Sequence, residues 1–167
     1  MISMRIFIAV LSFAALSGCA ASGIKHADQL AMQPPVSNTA SRITVFRTKE
    51  SGQYSARSAP LSVDNRLATS IKYGGFSTLD LQSGQHILMT ELSNLPGKCE
   101  LPVQLNAGTI HYFEITPRLA NFVSAVTGNV VGAALESAGK TCGGAFSIFP
   151  VTEEIALFKL RDLRKSD

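Results

Sequence analysis

The chain has 167 residues, a formal net charge of +3 and a charged fraction of 16%, against about 25% for an average soluble domain. A charge this small sets up no field of the kind that recruits nucleic acid, so nucleic acid is excluded as a partner. The length supports one domain with a core of its own, and the weakly charged composition suits a surface close to a membrane or another protein.

A single basic residue, Arg5, precedes an unbroken small-to-apolar run from Ile6 to Leu16, and that run ends in Leu16-Ser17-Gly18-Cys19. As a helix the run rises roughly 16 Å, about half of a hydrocarbon core, so it fits a signal h-region better than a permanent span. Ser17 and Gly18 are small enough to leave the bond before Cys19 open to a processing enzyme. The four residues resemble the lipobox of bacterial lipoproteins, whose cysteine receives a diacylglycerol and whose new N-terminus is acylated. That resemblance implies a cleaved signal peptide over residues 1–18, lipidation at Cys19, and a bilayer partner reached through the lipid anchor. It leaves 149 residues with a formal charge of +2. Ala20, standing where an aspartate would otherwise be, is similar to the outer-membrane sorting pattern of enteric bacteria, which implies an outer-membrane location facing the periplasm.

Lipidation of Cys19 would leave Cys99 and Cys142. An even remainder in an oxidising compartment points to one disulfide across 43 positions. Two free thiols or a metal pair are the alternatives, and no Cys-x-x-Cys or histidine spacing supports the metal.

Residues 19–41 mix small and polar side chains without a sustained period and contain Pro34-Pro35, as a tether would. A flexible chain of about 20 residues spans on the order of 25 Å. A short amphipathic helix over Ile24 to Met32 is the alternative. The domain proper is expected over residues 42–167. Ile43 and Val45 alternate with Thr44 and Phe46, the period of a strand. Asp64-Asn65 both tolerate positive φ, so Leu61–Val63 and Leu67–Ile71 read as a hairpin. Strands follow at Phe76–Leu81 and His86–Leu92. Glu100–Leu105 and Thr109–Thr116 read as a further pair about the turn Asn106-Ala107-Gly108. About seven short strands at this spacing predict a mainly β fold, an antiparallel β-sandwich or open barrel.

The stretch Leu119 to Ser137 departs from that pattern. Ala120, Ser124, Gly128 and Gly132 recur every fourth residue, so on a helix they form one small-sided strip that admits a close backbone. This glycine-rich apolar insertion, 119–137, is the candidate contact with an envelope protein partner, a second copy of the chain or the membrane. A buried helix, or two strands joined at Thr127-Gly128-Asn129, is the alternative. Ala145–Val151 reads as a last strand. Thr152 is placed to cap a short C-terminal helix with Glu153 and Glu154 in its first turn and Arg161, Arg164 and Lys165 at the opposite end.

The succession Ile43-Thr44-Val45-Phe46-Arg47, Leu61-Ser62-Val63-Asp64-Asn65, Gly75-Phe76, Leu79-Asp80-Leu81 and Gly84-Gln85-His86 resembles bacterial envelope lipoproteins of domain-of-unknown-function family 2846. The resemblance continues through Leu105-Asn106-Ala107-Gly108, Tyr112-Phe113 and Glu153–Leu157. The Val-Asp-Asn turn and Gly-Gln-His step are also similar to repeats of the PEGA type, with Asn65 where a glycine is common. Both imply a small β-sandwich and an envelope location; neither supplies a catalytic residue.

Gly139-Lys140-Thr141 lacks the first glycine of a phosphate-binding loop, since position 134 is Ala134. No nucleophile elbow or zinc-protease pair is present. His86 and His111 on neighbouring strands would supply only two metal ligands, too few for a site, and Glu100 and Glu114 carry no sequence reason to meet. The expectation is therefore a non-enzymatic, lipid-anchored structural or interaction module without cofactor or metal. The alternative is a periplasmic binding protein for a small apolar or lipidic ligand, held between the sandwich and the Leu119–Leu135 segment.

Overall fold

The alternation at Arg42–Arg47 belongs to a strand buried on both faces, and the rest of the fold is arranged around it. The computed structural model describes residues 20–118 and 142–166. In chain order the described elements are α1 (His26–Met32), β1 (Ala40–Arg47), β2 (Ala59–Val63), β3 (Arg66–Ile71), β4 (Gly75–Gln82), β5 (Gly84–Glu91), β6 (Lys98–Leu105), β7 (Ile110–Pro117), β8 (Phe146–Val151), α2 (Glu153–Leu160) and β9 (Arg164–Lys165). The fold is mainly β, with a five-stranded sheet in the order β8-β7-β1-β4-β9 and a four-stranded sheet in the order β3-β2-β5-β6.

Central position explains why β1 is buried along nearly its whole length. Ile43 and Val45 join Phe113, Ile115 and Ile148 in one apolar cluster with Leu61, Ile71, Leu88, Leu101 and Leu105 of the other sheet. Phe46 points the opposite way and packs with Phe76, Tyr112, Ala156, Leu160 and Leu163, beneath α2. Successive side chains of a strand alternate between faces, so one strand serves both clusters.

The Asp64-Asn65 hairpin forms as its residues dictate. Val63 pairs with Arg66, and the two intervening residues have φ of 51° and 65°, the double positive φ of the turn whose twist suits a two-residue hairpin. Other connections differ from the expected ones. Glu100–Leu105 and Thr109–Thr116 do not pair: β6 and β7 lie in different sheets, and the 106–109 turn carries the chain from one to the other. Ser83 makes the same kind of switch between β4 and β5. The antiparallel expectation fits the four-stranded sheet, but the five-stranded one is mixed, because β1 runs parallel to β7 and β4 parallel to β9. A parallel pair needs a long crossover; here the whole four-stranded sheet lies within the β1-to-β7 connection. Nine strands are present among the described residues, against about seven read from the pattern. Thr152 stands at the helix N-cap, yet its side chain makes no capping bond, and only its carbonyl accepts, from Ala156 N–H at 2.9 Å.

The segment expected as a free tether is bonded into the domain from Ala20 onward. Ala20 bridges to Tyr73, and Ala21 N–H donates to the Tyr73 carbonyl at 3.1 Å. Gly23 N–H donates to Lys165 O at 3.1 Å and Lys165 N–H returns to Ile24 O at 2.8 Å. His26, only 7% exposed, stacks edge-on to Phe76 with ring centroids 5.1 Å apart. Further along, Arg42 clasps the Asp80 carboxylate with two bonds of 2.7 and 2.8 Å and donates to the Pro34 carbonyl at 2.8 Å. The helix that the composition offered as an alternative is present at His26–Met32.

Cys99 of β6 and Cys142 form a disulfide pair beside the start of β8. Next to it Gly97 lies against Gly143 and Gly144 so closely that a Cβ on Gly97 would collide with the Gly143 carbonyl. The bridge ties β6 of the four-stranded sheet to the segment that leads into β8 of the five-stranded one. Closing a loop of this length restricts the unfolded chain, and replacing both cysteines by alanine is expected to lower the unfolding free energy by about 2–4 kcal/mol. Urea denaturation under non-reducing conditions measures this; an unchanged midpoint would show that the sheets hold together without the bridge.

Candidate functional site

Pairing registers place several loops at one end of the five-stranded sheet. Arg47 of β1 lies opposite Gly75, Gly75 opposite Arg164, and Pro117 of β7 opposite Phe146. At this Arg47 end, too, Ala20 bridges to Tyr73, and the chain leaves the described residues after Arg118 and re-enters them at Cys142. Arg118 N–H donates to Ala145 O at 3.0 Å, closing the base of that excursion.

Arg47 organises the loop above it. Its side chain is fully buried, lies 4.8 Å from the Phe146 ring centroid, and donates to the carbonyls of Arg57 at 2.6 Å and of Gln53 and Tyr54 at 2.9 Å. Three carbonyls meet one guanidinium, so the 48–58 loop is fastened to the strand end by its backbone. Burial lowers the Arg47 pKa from its ordinary value, a desolvation that Tyr73 partly offsets. On the other face Glu114, 1% exposed, accepts from Lys159 Nζ at 2.9 and 3.0 Å and also bonds the Thr48 side chain. Burial pushes its carboxyl up, against the pull of Lys159.

Beside Ala20, the segment Ser22–Ile24 and the strand β9 line an open groove of about 410 Å³. Arg164 donates one guanidinium N–H to the Gly23 carbonyl at 3.1 Å. Lys25 bridges to Arg164, and Lys72 adjoins Tyr73, whose hydroxyl donates to the Lys49 carbonyl at 2.8 Å. Arg164 and Lys165 line this groove, with Lys25 bridged to Arg164 and Lys72 next to the Tyr73 that bridges to Ala20. Sequence reasoning assigned Arg164 and Lys165 to the helix end. They are in β9, and the available signal was their clustering with Arg161 in a chain otherwise poor in charge.

A second depression, of about 560 Å³, lies on the four-stranded sheet and includes Asp64, Gln85, His86 and Gln104. His86 Nδ1 is 2.7 Å from the Asp64 carboxylate and Nε2 is 2.8 Å from the Gln82 carbonyl. Two acceptors face the two nitrogens, an arrangement that both N–H groups of an imidazolium satisfy and that therefore favours the protonated ring. The hydrogen bond that His86 donates to Asp64 is the main cause that raises the His86 pKa, while the Ile87 N–H and then His86 hold Asp64 below its ordinary value. This is a lock between the hairpin turn and β5.

The residues singled out from sequence are placed as follows. Cys19, Ala120, Ser124, Gly128 and Gly132 lie outside the described residues, as does all of the 119–137 insertion. Cys99 and Cys142 are brought together. His86 and His111 are in different sheets, so they do not meet; His111 Nε2 lies 2.8 Å from Thr109 Oγ1. Glu100 and Glu114 are likewise in different sheets, Glu100 being 2.7 Å from Lys98 Nζ. Among the described residues no group of three His, Cys, Asp or Glu side chains is placed to hold a metal, and no helix is long and apolar enough to cross a membrane. No family model, curated protein or solved structure matches the chain.

The His86–Asp64 lock carries a pH signature. The His86 pKa is raised above 6.5, so its contribution is full below 6.5 and is lost as pH rises through the folded value. The Asp64 pKa lies below 3.8, so its contribution is full above 3.8 and is lost as pH falls through the folded value. His86→Ala is therefore expected to destabilise most between those limits, by roughly 1 kcal/mol for a pair this open to solvent, and less at alkaline pH. Urea unfolding of both proteins across pH checks this; a difference independent of pH would contradict the charged pair.

Proposed function

We propose that the chain is a lipid-anchored cell-envelope protein acting as a non-enzymatic structural or interaction module. The observation that carries this reading is the run Ile6–Leu16 closing in Leu16-Ser17-Gly18-Cys19, the arrangement that resembles a lipobox. The two sheets with their shared apolar cluster support a disulfide-tied β-sandwich as its body, and the Cys99–Cys142 bridge suits an oxidising compartment. Ala20 as the residue after the anchor favours the outer membrane, with the domain facing the periplasm. The family-2846 and PEGA resemblances agree with that location.

A binding or structural role is favoured over catalysis by what the described polar groups do. Glu114 is spent on Lys159, His86 on Asp64 and Gln82, and Arg47 on three carbonyls. At the end of the sheet where Ala20 is fixed, Arg118 and Cys142 are the described residues that flank the apolar insertion 119–137. Its strip of Ala120, Ser124, Gly128 and Gly132 is the proposed contact with an envelope partner, a second copy or the bilayer.

Two or more acyl chains anchor a protein stably, at about 0.8 kcal/mol per buried methylene. The intact mass of the native product is expected to exceed that of the polypeptide starting at Cys19 by the diacylglycerol and acyl groups. Cys19→Ser is expected to abolish incorporation of labelled palmitate and to release the protein from the outer-membrane fraction. An unprocessed leader, or a mature chain with no acyl groups, would contradict the anchor.

A further inference from the structure

Resting on the lipid-anchored reading, we propose that the Arg47 end is the face laid against the bilayer. There the groove between Ser22–Ile24 and Arg164–Lys165 takes the phosphate of an anionic phospholipid headgroup.

Distance comes first. Cys19 is one residue from Ala20, which is itself fixed to Tyr73. One residue of chain reaches at most about 3.5 Å. A lipid on Cys19 therefore holds this end of the domain within roughly a Debye length of the headgroups, about 8 Å at physiological salt. The free tether expected from composition would have placed the same charges on the order of 25 Å away, where they are screened.

Charge comes second. Arg164 and Lys165 line the groove, and Lys25, whose backbone bridges to Arg164, and Lys72, next to the Tyr73 that bridges to Ala20, lie on the adjoining segments. Of the nearby carboxylates, Glu50 lies 3.7 Å from Lys159 and Asp162 3.7 Å from Arg161, while Asp28 stands in the first turn of α1, three residues beyond Lys25. Asp167, which follows Ser166, lies outside the described residues. In Arg164 one N–H is used on Gly23, and the rest of the fork is exposed beside the Ser22 hydroxyl, a donor set suited to phosphate oxygens. Ile24, 41% exposed at the groove, offers an apolar side chain at headgroup depth. At the Ala40 end of the strands the charges are of both signs, Asp80 being held by Arg42 and Asp64 by His86 beside Arg66, with Glu153 and Glu154 in the first turn of α2.

The test uses the full chain purified in detergent and reconstituted into vesicles of phosphatidylcholine alone or mixed with phosphatidylglycerol, with hydroxyl-radical footprinting as readout. Leu67, 68% exposed on the β3 side of the distant hairpin, serves as reference. On the anionic vesicles, oxidation of Ile24 and Tyr73 is expected to fall several-fold relative to Leu67, and the protection to fade as salt is raised. Each cation at a membrane surface is worth roughly a fivefold change in binding, so Lys72→Glu with Lys165→Glu is expected to remove the protection. Arg66→Glu, at the other end, is expected to leave it intact. An unchanged thermal midpoint for each variant confirms folding. Equal oxidation of Ile24 on both vesicle types, equal loss with Arg66→Glu, or the same protection from inorganic phosphate on neutral vesicles would overturn the proposal. The intact mass of the same preparation judges the anchor separately. Acyl groups without protection sink the face, and protection without acyl groups supports the face while sinking the anchor.

Discussion

The two ends of the described chain are hydrogen-bonded to each other, and the placement of every other surface follows from that. Residues 23–26 exchange backbone bonds with 163–165, and Lys165 in turn extends the sheet beside Phe76. Each such bond is worth only about 1 kcal/mol net. Their value lies in geometry, because they convert what composition presents as a linker into part of the domain. A group attached just before Ala20 is thereby attached to the sheet itself, and its orientation is set by β4 and β9.

That arrangement depends on the deeper layers. Phe76 holds its position in β4 because Phe46, Leu160 and Leu163 pack around it, and His26 stacks on its edge. Phe46 in turn is one residue from Val45, which faces the cluster shared by the two sheets. Arg47 ends the same strand by binding three carbonyls of the 48–58 loop, a charge kept in the interior by acceptors that water would otherwise supply. Removing a guanidinium from such a place strands three carbonyls at once. Loop, strand end and N-terminal segment are therefore coupled through adjacent residues of β1 and β4.

Local signals in the sequence carried local structure well. The alternation of Ile43 and Val45 against Thr44 and Phe46, and the Asp64-Asn65 turn, each name a conformation that short-range sterics decide. Partner choice between strands was not legible, since the Asn106–Gly108 turn has the same chemistry whether the flanking strands pair or pass between sheets. β9 is two residues long, too short for any period, and its existence depends on Gly75 and Ile24, far away in sequence. For the candidate site, counting cysteines with Cys19 set aside for lipidation favoured the pairing of Cys99 with Cys142 over free thiols or a metal pair, and the two are together in the fold. The basic groove was hidden because Arg164 and Lys165 had an adequate local explanation in the helix dipole. Arg47 read as an ordinary strand terminus, because nothing local says that a loop will fold over it.

The central claim is that Ala21 to His26 are structured as part of the domain, and amide hydrogen exchange by NMR on the full-length protein tests it most directly. The amides of Ala21, Gly23, His26 and Lys165 are predicted to exchange far more slowly than free-peptide rates, protected together with that of Ser166 on Phe76. Exchange of Ala21, Gly23 and His26 at free-peptide rates, with the β1 amides still protected, would show a loose tether and contradict the account.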